Sequence, residues 1–176
     1  DGAGATGGSM DAASWQALNR LSEERGFLIF SDEVYRGLEY AGDAPLPAFC
    51  DLNPRAVSLG VLSKSYGLAG LRIGWVATRN TLLLERMAAW KDYTTICGSA
   101  PSEMLGTLAI RHGAQLIGRN QALIARNLEI LDAFFARHAQ LFDWPRPTAG
   151  SIAFPRLRAG ADAADFCRAL VENAGV

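Results

Sequence analysis

Two largely apolar runs constrain this 176-residue chain more than anything else in it. The first, Phe27-Leu28-Ile29-Phe30, has no polar alternation, which predicts a strand covered on both faces, as in a parallel sheet. It follows a segment that Ser9 or Asp11 can cap, in which Trp15, Leu18 and Leu21 recur at helical spacing until Gly26 stops the helix. The second run, Ala56-Val57-Ser58-Leu59-Gly60-Val61-Leu62, comes after a Pro- and Gly-punctuated loop from Gly42 to Pro54 and reads as a second buried strand that leads into Ser63-Lys64. Ile73-Gly74-Trp75-Val76-Ala77 reads as a third. Helix, strand, loop, strand and glycine-rich turn in this order predict an α/β domain, whose open sheet binds ligands at its strand ends.

The second half changes character. Thr81 to about Ile96 is predicted helical, and Pro101 opens a further helix through Met104, Leu105, Leu108 and Ile110. From Ala114 to about Gln140 a long helix buries Ile117, Leu123, Ile124, Leu128, Leu131 and Phe135, while Arg119, Arg126, Glu129 and Arg137 solvate its other face. Trp144-Pro145-Arg146-Pro147 ends it. Ser151-Ile152-Ala153-Phe154 is read as a strand and Ala161 to Ala174 as a helix that begins a smaller unit.

Composition narrows the function. With 49% apolar and 20% charged residues and a mean hydropathy of +0.07, the chain can bury an ordinary core. A net charge of -1 and a pI near 6.1 give no electrostatic reason to expect nucleic acid or an anionic membrane, so the expected partner is a small molecule. Cys50, Cys97 and Cys167 are odd in number and widely spaced, without a C-x-x-C or a nearby His, which suggests neither a disulfide framework nor a metal site and fits a reducing cytoplasm. No window approaches the roughly 20 apolar residues of a bilayer span, and Asp1-Gly2-Ala3-Gly4 does not resemble a signal peptide, so a soluble protein is expected.

Two segments carry chemistry. In Ser31-Asp32-Glu33-Val34-Tyr35 a carboxylate and a phenol stand three residues apart at a strand exit, an arrangement that a polar strand end also explains. In Leu62-Ser63-Lys64-Ser65-Tyr66-Gly67-Leu68-Ala69-Gly70-Leu71-Arg72-Ile73-Gly74-Trp75 the plain reading is weaker. A Lys straight after an apolar strand is unusual, because burial disfavours the ammonium and favours the neutral, nucleophilic amine. Gly67, Gly70 and Gly74 permit close backbone approach, and Arg72 offers a planar fork suited to phosphate.

Together these segments resemble the fold-type I pyridoxal-phosphate aminotransferases of class I/II. The resemblance covers nearly the whole chain, including Ser99-Ala100-Pro101-Ser102-Glu103, and its specificity lies in Asp32 and Tyr35 followed by Lys64, 32 positions after the Asp, and Arg72 eight beyond that. It implies that residues 1–135 are the C-terminal half of a large cofactor-binding domain with its connecting helix, and that 136–176 begin a small α+β domain. It also implies that Lys64 holds pyridoxal 5'-phosphate as a Schiff base and then shuttles a proton. Asp32 would pair with the pyridine nitrogen, Tyr35 donate to the phenolic oxygen, and Ser63 and Arg72 bind the phosphate. The expected reaction moves an amino group between an amino acid and a 2-oxo acid. A lyase, decarboxylase or cyclase on the same fold, or a non-catalytic regulator domain, are the alternatives.

The chain departs from the family pattern in places. Val61 stands where the family has Ser or Thr three positions before the lysine, and Gly4 in Gly4-Ala5-Thr6-Gly7 stands where it has Asn. The resemblance sets Asp1 in the middle of a family chain and Val176 short of its end, and implies a homodimer for a full-length protein. Arg156 and Arg158 are read as surface charges, His112 and His138 as exposed or capping, Trp75 and Trp90 as core, and Tyr66 as packing. Arg36 is expected to be solvated and Glu33 to pair with a cation.

Overall fold

The computed structural model describes residues 7–40, 45–158 and 162–176, so the Gly4 substitution and the expected helix start at Ala161 lie outside the described residues. Helix α1, Ala12–Arg25, begins where the Asp11 carboxylate accepts the Ser14 N–H at 2.6 Å, a bond that holds this carboxyl below the usual carboxylate range. It ends at Gly26, whose left-handed backbone returns its N–H to Ser22 O. Asp11 and not Ser9 is therefore the cap. The buried stripe is Trp15, Asn19 and Ser22, and Leu21 is exposed. The stripe turns because Asn53, buried itself, bonds Asn19 Oδ1 and Ser22 Oγ.

Strand β1 covers Phe30–Asp32 and not Phe27–Phe30. Its burial alternates, Ile29 and Ser31 buried, Leu28 and Phe30 exposed, because among the described residues α1 and the loop after β1 cover one face only. That loop holds a helical turn the sequence reading missed, α2, Phe49–Leu52. Strand β2, Val57–Val61, lies in the middle of the sheet, parallel to β1 with Ser31 opposite Ser58, and antiparallel to β3, Gly74–Thr78, with Val61 opposite Gly74. The glycine-rich segment is thus the turn of a long hairpin, with a single 3-10 turn at Ala69–Leu71.

A buried carboxylate locks this sheet to α2. Glu33 Oε1 accepts Ser58 Oγ at 2.6 Å and Phe49 N at 3.0 Å, and Ser58 Oγ in turn accepts Cys50 N. Arg36 completes the pairing at 3.4 Å from Oε2, as expected for Glu33. The apolar core beside it is Trp15, Ile29, Phe49 and Ala56, with the Trp15 and Phe49 rings 4.4 Å apart.

Helix α3, Thr81–Thr94, starts on the Asn80 cap and buries no residue among those described, and α4, Ala100–Arg111, starts on Ser99 with Pro101 in its first turn. Trp90 is 74% exposed and Trp75 39%, which corrects their reading as core: no described residue covers the outer side of α3 or of the hairpin. Helix α5, Gly113–Arg137, buries Leu128 and Phe135 fully and leaves Leu123 exposed. His112 and His138 cap helix ends, as expected.

Beyond α5, Ser151–Phe154 forms no strand. The pair is β4, Phe142–Asp143, with β5, Arg156–Leu157, because Asp143 on β4 bonds both Arg156 and Arg158. Helix α6, Ala163–Ala174, follows its Asp162 cap. Phe135, Phe142, Trp144 and Phe166 join α5, β4 and α6 in an aromatic cluster, with Phe135 stacked on Trp144 at 4.3 Å. No helix among the described residues is long and apolar enough to cross a membrane.

Two stability predictions follow from these bonds. Glu33→Ala strands the Ser58 hydroxyl and the Phe49 N–H in a buried site, so the unfolding free energy of the protein drops by about 2–4 kcal/mol, each orphaned group costing about 1–3 kcal/mol; denaturant melts read this as a lower midpoint at unchanged slope. Asp132 accepts Arg146 Nε at 2.9 Å and Trp144 Nε1 at 2.7 Å, and the Arg146 bond, followed by that from Trp144, holds its carboxyl below the usual range. A depressed folded-state value contributes stability above the unfolded one, about pH 4, and loses it as pH falls through the folded value. The gap in melting temperature between the wild type and Asp132→Asn is therefore widest near neutrality and closes in acid.

Candidate functional site

The five expected site residues lie at one edge of the sheet. Asp32 ends β1, Ser63 and Lys64 follow β2, and Arg72 precedes β3, which runs the other way. Two hydrogen bonds continue the ladders beyond the strands: Glu33 N to Leu59 O at 2.9 Å, and Leu62 N to Ile73 O at 3.0 Å, and Ser63 and Arg72 are the residues that border this last bond. This is the carboxyl-terminal edge of the parallel pair, where open α/β sheets bind ligands.

Asp32 is half-buried, and among the described residues it accepts one hydrogen bond, from Val34 N at 3.2 Å, leaving oxygen lone pairs for a further donor. Tyr35, also half-buried, lies three residues on in a turn held by Arg36 N to Glu33 O and Leu38 N to Tyr35 O. The Lys64 Nζ stands 5.9 Å from the centroid of the Tyr35 ring. The Lys64 side chain is exposed, so the described residues do not bury the amine as its position after an apolar strand suggested. Strand β2 itself is buried; the chain turns outward one residue after Leu62.

Arg72 is exposed and has a left-handed backbone, φ 55°, uncommon without a glycine. This backbone caps the 3-10 turn and lets Nη1 donate to Ala69 O at 3.0 Å, holding the guanidinium over its own turn. Of the three glycines, Gly67 and Gly74 are crowded and Gly70 is open. A Cβ at Gly74 meets Val61 Cγ1 at 2.9 Å, which gives Val61 a packing role in the hairpin.

Sequence reasoning missed Ser65, Asn120 and Gln121. Ser65 is 2% exposed and its Oγ lies 2.6 Å from Arg36 O and 3.1 Å from Val34 O, so it ties the lysine turn to the tyrosine turn. Asn120 and Gln121 of α5 donate to Ser65 O and Gly37 O, each at 2.9 Å. The second serine in Ser63-Lys64-Ser65 was the one available signal; the two amides sit among charged residues of a long amphipathic helix and carried none. Tyr66 packs on Gly113, as expected. Arg36 is exposed yet bonded to Leu46 O at 2.6 Å.

Comparison with known proteins gives the family and the fold. The family model for aminotransferase class I and II matches residues 4–176. Capreomycidine synthase of Streptomyces vinaceus is 34% identical over 122 residues, 69% of this chain and 31% of that protein. The crystal structure of a PLP-dependent aminotransferase from Streptococcus suis superposes with a TM-score of 0.88 at 31% identity, covering 97% of this chain and 44% of that one. That of the PLP-dependent cyclase OrfR gives 0.85 at 30%, covering 96% and 45%. The chain spans less than half the length of each of these proteins. Over nearly its whole length, from the α/β fold to the lysine turn, the chain belongs to the class I and II aminotransferases.

Proposed function

We propose that the protein is a pyridoxal-phosphate-dependent aminotransferase that exchanges an amino group between an amino acid and a 2-oxo acid, with Lys64 as covalent anchor and proton carrier. The observation that carries this reading is the meeting of Lys64 and Tyr35, 5.9 Å from Nζ to ring, at the sheet edge where Asp32 also ends its strand. The donor set fits the cofactor: a primary amine for its aldehyde, a carboxylate for its ring nitrogen, a phenol for its phenolic oxygen, and a hydroxyl with a guanidinium for its phosphate. When bound, pyridoxal phosphate supplies a ring that takes up the electrons left when a substrate carbon loses its proton.

The residues then divide the work. The Asp32 carboxylate, with lone pairs left beyond the Val34 N–H, would hold a proton on the ring nitrogen. Tyr35 donates from a turn that three backbone and side-chain bonds keep rigid. Ser63 and Arg72, just beyond the end of the hairpin ladder, would bind the phosphate and set the cofactor's position along the edge. Lys64, on its exposed stem, would anchor the cofactor and carry the proton to and from the substrate carbon. Exposed free Cys97 and Cys167 support the cytoplasm as compartment.

A second reading, an amino-acid cyclase using the same residues, is supported by the similarity to capreomycidine synthase and to the cyclase OrfR. The two separate on the need for an acceptor: an aminotransferase turns over an amino acid only when a 2-oxo acid is supplied, and a cyclase consumes it alone. In the complete protein with added pyridoxal phosphate, borohydride is expected to fix the cofactor to Lys64, by peptide mass. Lys64→Ala is expected to leave no fixed adduct and to slow turnover by about 10²–10⁴-fold, the usual worth of a positioned proton carrier. An adduct of equal yield in Lys64→Ala would sink the assignment.

We also propose that the complete protein is a homodimer. Its support is the outer side of α3, where Leu82, Trp90 and Tyr93 are 58%, 74% and 89% exposed, more aromatic surface than a lone soluble domain ordinarily leaves wet. Light scattering on the complete protein is expected to give twice the chain mass, and Trp90→Glu with Tyr93→Glu to shift it toward one.

A further inference from the structure

The Lys64 amine and the Tyr35 ring belong to separate turns, and no bond between those two side chains sets their distance. Their neighbours are bonded. Ser65, next to Lys64 and buried, brings its hydroxyl to the carbonyls of Val34 and Arg36, the residues on either side of Tyr35. A hydroxyl has one proton, so it donates to the nearer, Arg36 O at 2.6 Å. Helix α5 then holds both turns at once: the adjacent amides of Asn120 and Gln121 donate to Ser65 O and to Gly37 O. Gly67, with φ 70°, leaves the room Asn120 needs, since a Cβ there stands 2.9 Å from Asn120 Nδ2. Ile117, one turn earlier on α5, packs against Gly37.

We propose that Ser65 and Asn120 are the positioning residues for Lys64, fixing the amine against Tyr35 and Asp32 by tying both turns to α5. The inference rests on the reading of Lys64 as cofactor anchor. A turn that loses these bonds remains a turn, but the amine is no longer held in one place, and misplacement of a reacting group by a fraction of an ångström to an ångström costs rate and not binding. Neither residue touches the cofactor or the substrate in this account. Their effect reaches the chemistry through Lys64.

The test uses the complete protein loaded with pyridoxal phosphate. Asn120→Asp keeps the shape and removes the donor; Ser65→Ala removes the hydroxyl; Ser65→Thr keeps it. Asn120→Asp and Ser65→Ala are expected to lower kcat by about tenfold to a hundredfold, with KM for the amino donor within about twofold, as for an interaction lost at the transition state. They are also expected to move the pH midpoint of the visible cofactor band by about half a unit or more. Ser65→Thr is expected to restore both. If Ser65→Ala does not fold, Asn120→Asp decides alone, since its side chain lies on the half-buried face of a long helix. A wild-type band midpoint and kcat in Asn120→Asp overturn the proposal. Absence of a borohydride-fixed band in the wild type overturns the cofactor reading beneath it, which is a different result.

Discussion

The parallel pairing of Phe30–Asp32 with Val57–Val61 is the constraint on which the rest of the site depends. Asp32 and Lys64 stand 32 positions apart in the chain, and only a parallel register brings the exits of both strands to the same edge. The register is set from one side. Glu33 receives Ser58 across the pair and the first N–H of α2, so the same carboxylate aligns the strands and fixes the loop between them. A slip of one residue would separate these partners and send every side chain of β1 to the other face.

The chain is well buried on that side and bare on the other. Trp15, Ile29, Phe49 and Ala56 form a closed core under β1 and β2, while Phe30, Trp75 and most of α3 face outward. A sheet whose strands read as apolar on both faces and are covered on one is not self-sufficient. The site inherits this asymmetry: its bonds to α5 and to the sheet are formed, and Lys64 and Arg72 stand exposed at its rim.

One departure from the family pattern, Val61, is absorbed by packing. Val61, in place of a hydroxyl residue, packs against Gly74 in the hairpin. Arg72 offsets a left-handed backbone by bonding to its own turn. Ser65, by contrast, adds a buried bond to the lysine turn, and polar bonds in buried places specify geometry because few alternatives satisfy both partners.

Much of this was legible in the residues. Periodicity, with Asp11 and Pro101 as start signals, located α1, α3, α4, α5 and α6 within a few positions; Asn80, Ser99 and Asp162 prove to be the local caps of α3, α4 and α6. The strand–lysine–glycine segment announced its place at a strand end. What local sequence could not carry was burial. The run Phe27–Phe30 is apolar throughout, yet which face is covered depends on α1 and on α2, a helical turn that exists because Glu33 accepts its first N–H from sixteen residues away. The strand expected at Ser151–Phe154 lost to Arg156–Leu157 for the same kind of reason, the distant Asp143. The sequence by itself determined the longer helices and the residue types at the sheet edge, because caps, periods and motifs act within a few positions. The antiparallel return of β3, the uncovered faces, and the bonds from Ser65 and Asn120 that hold Lys64 beside Tyr35 were decided by tertiary structure alone, because each joins groups that sequence separation hides from one another.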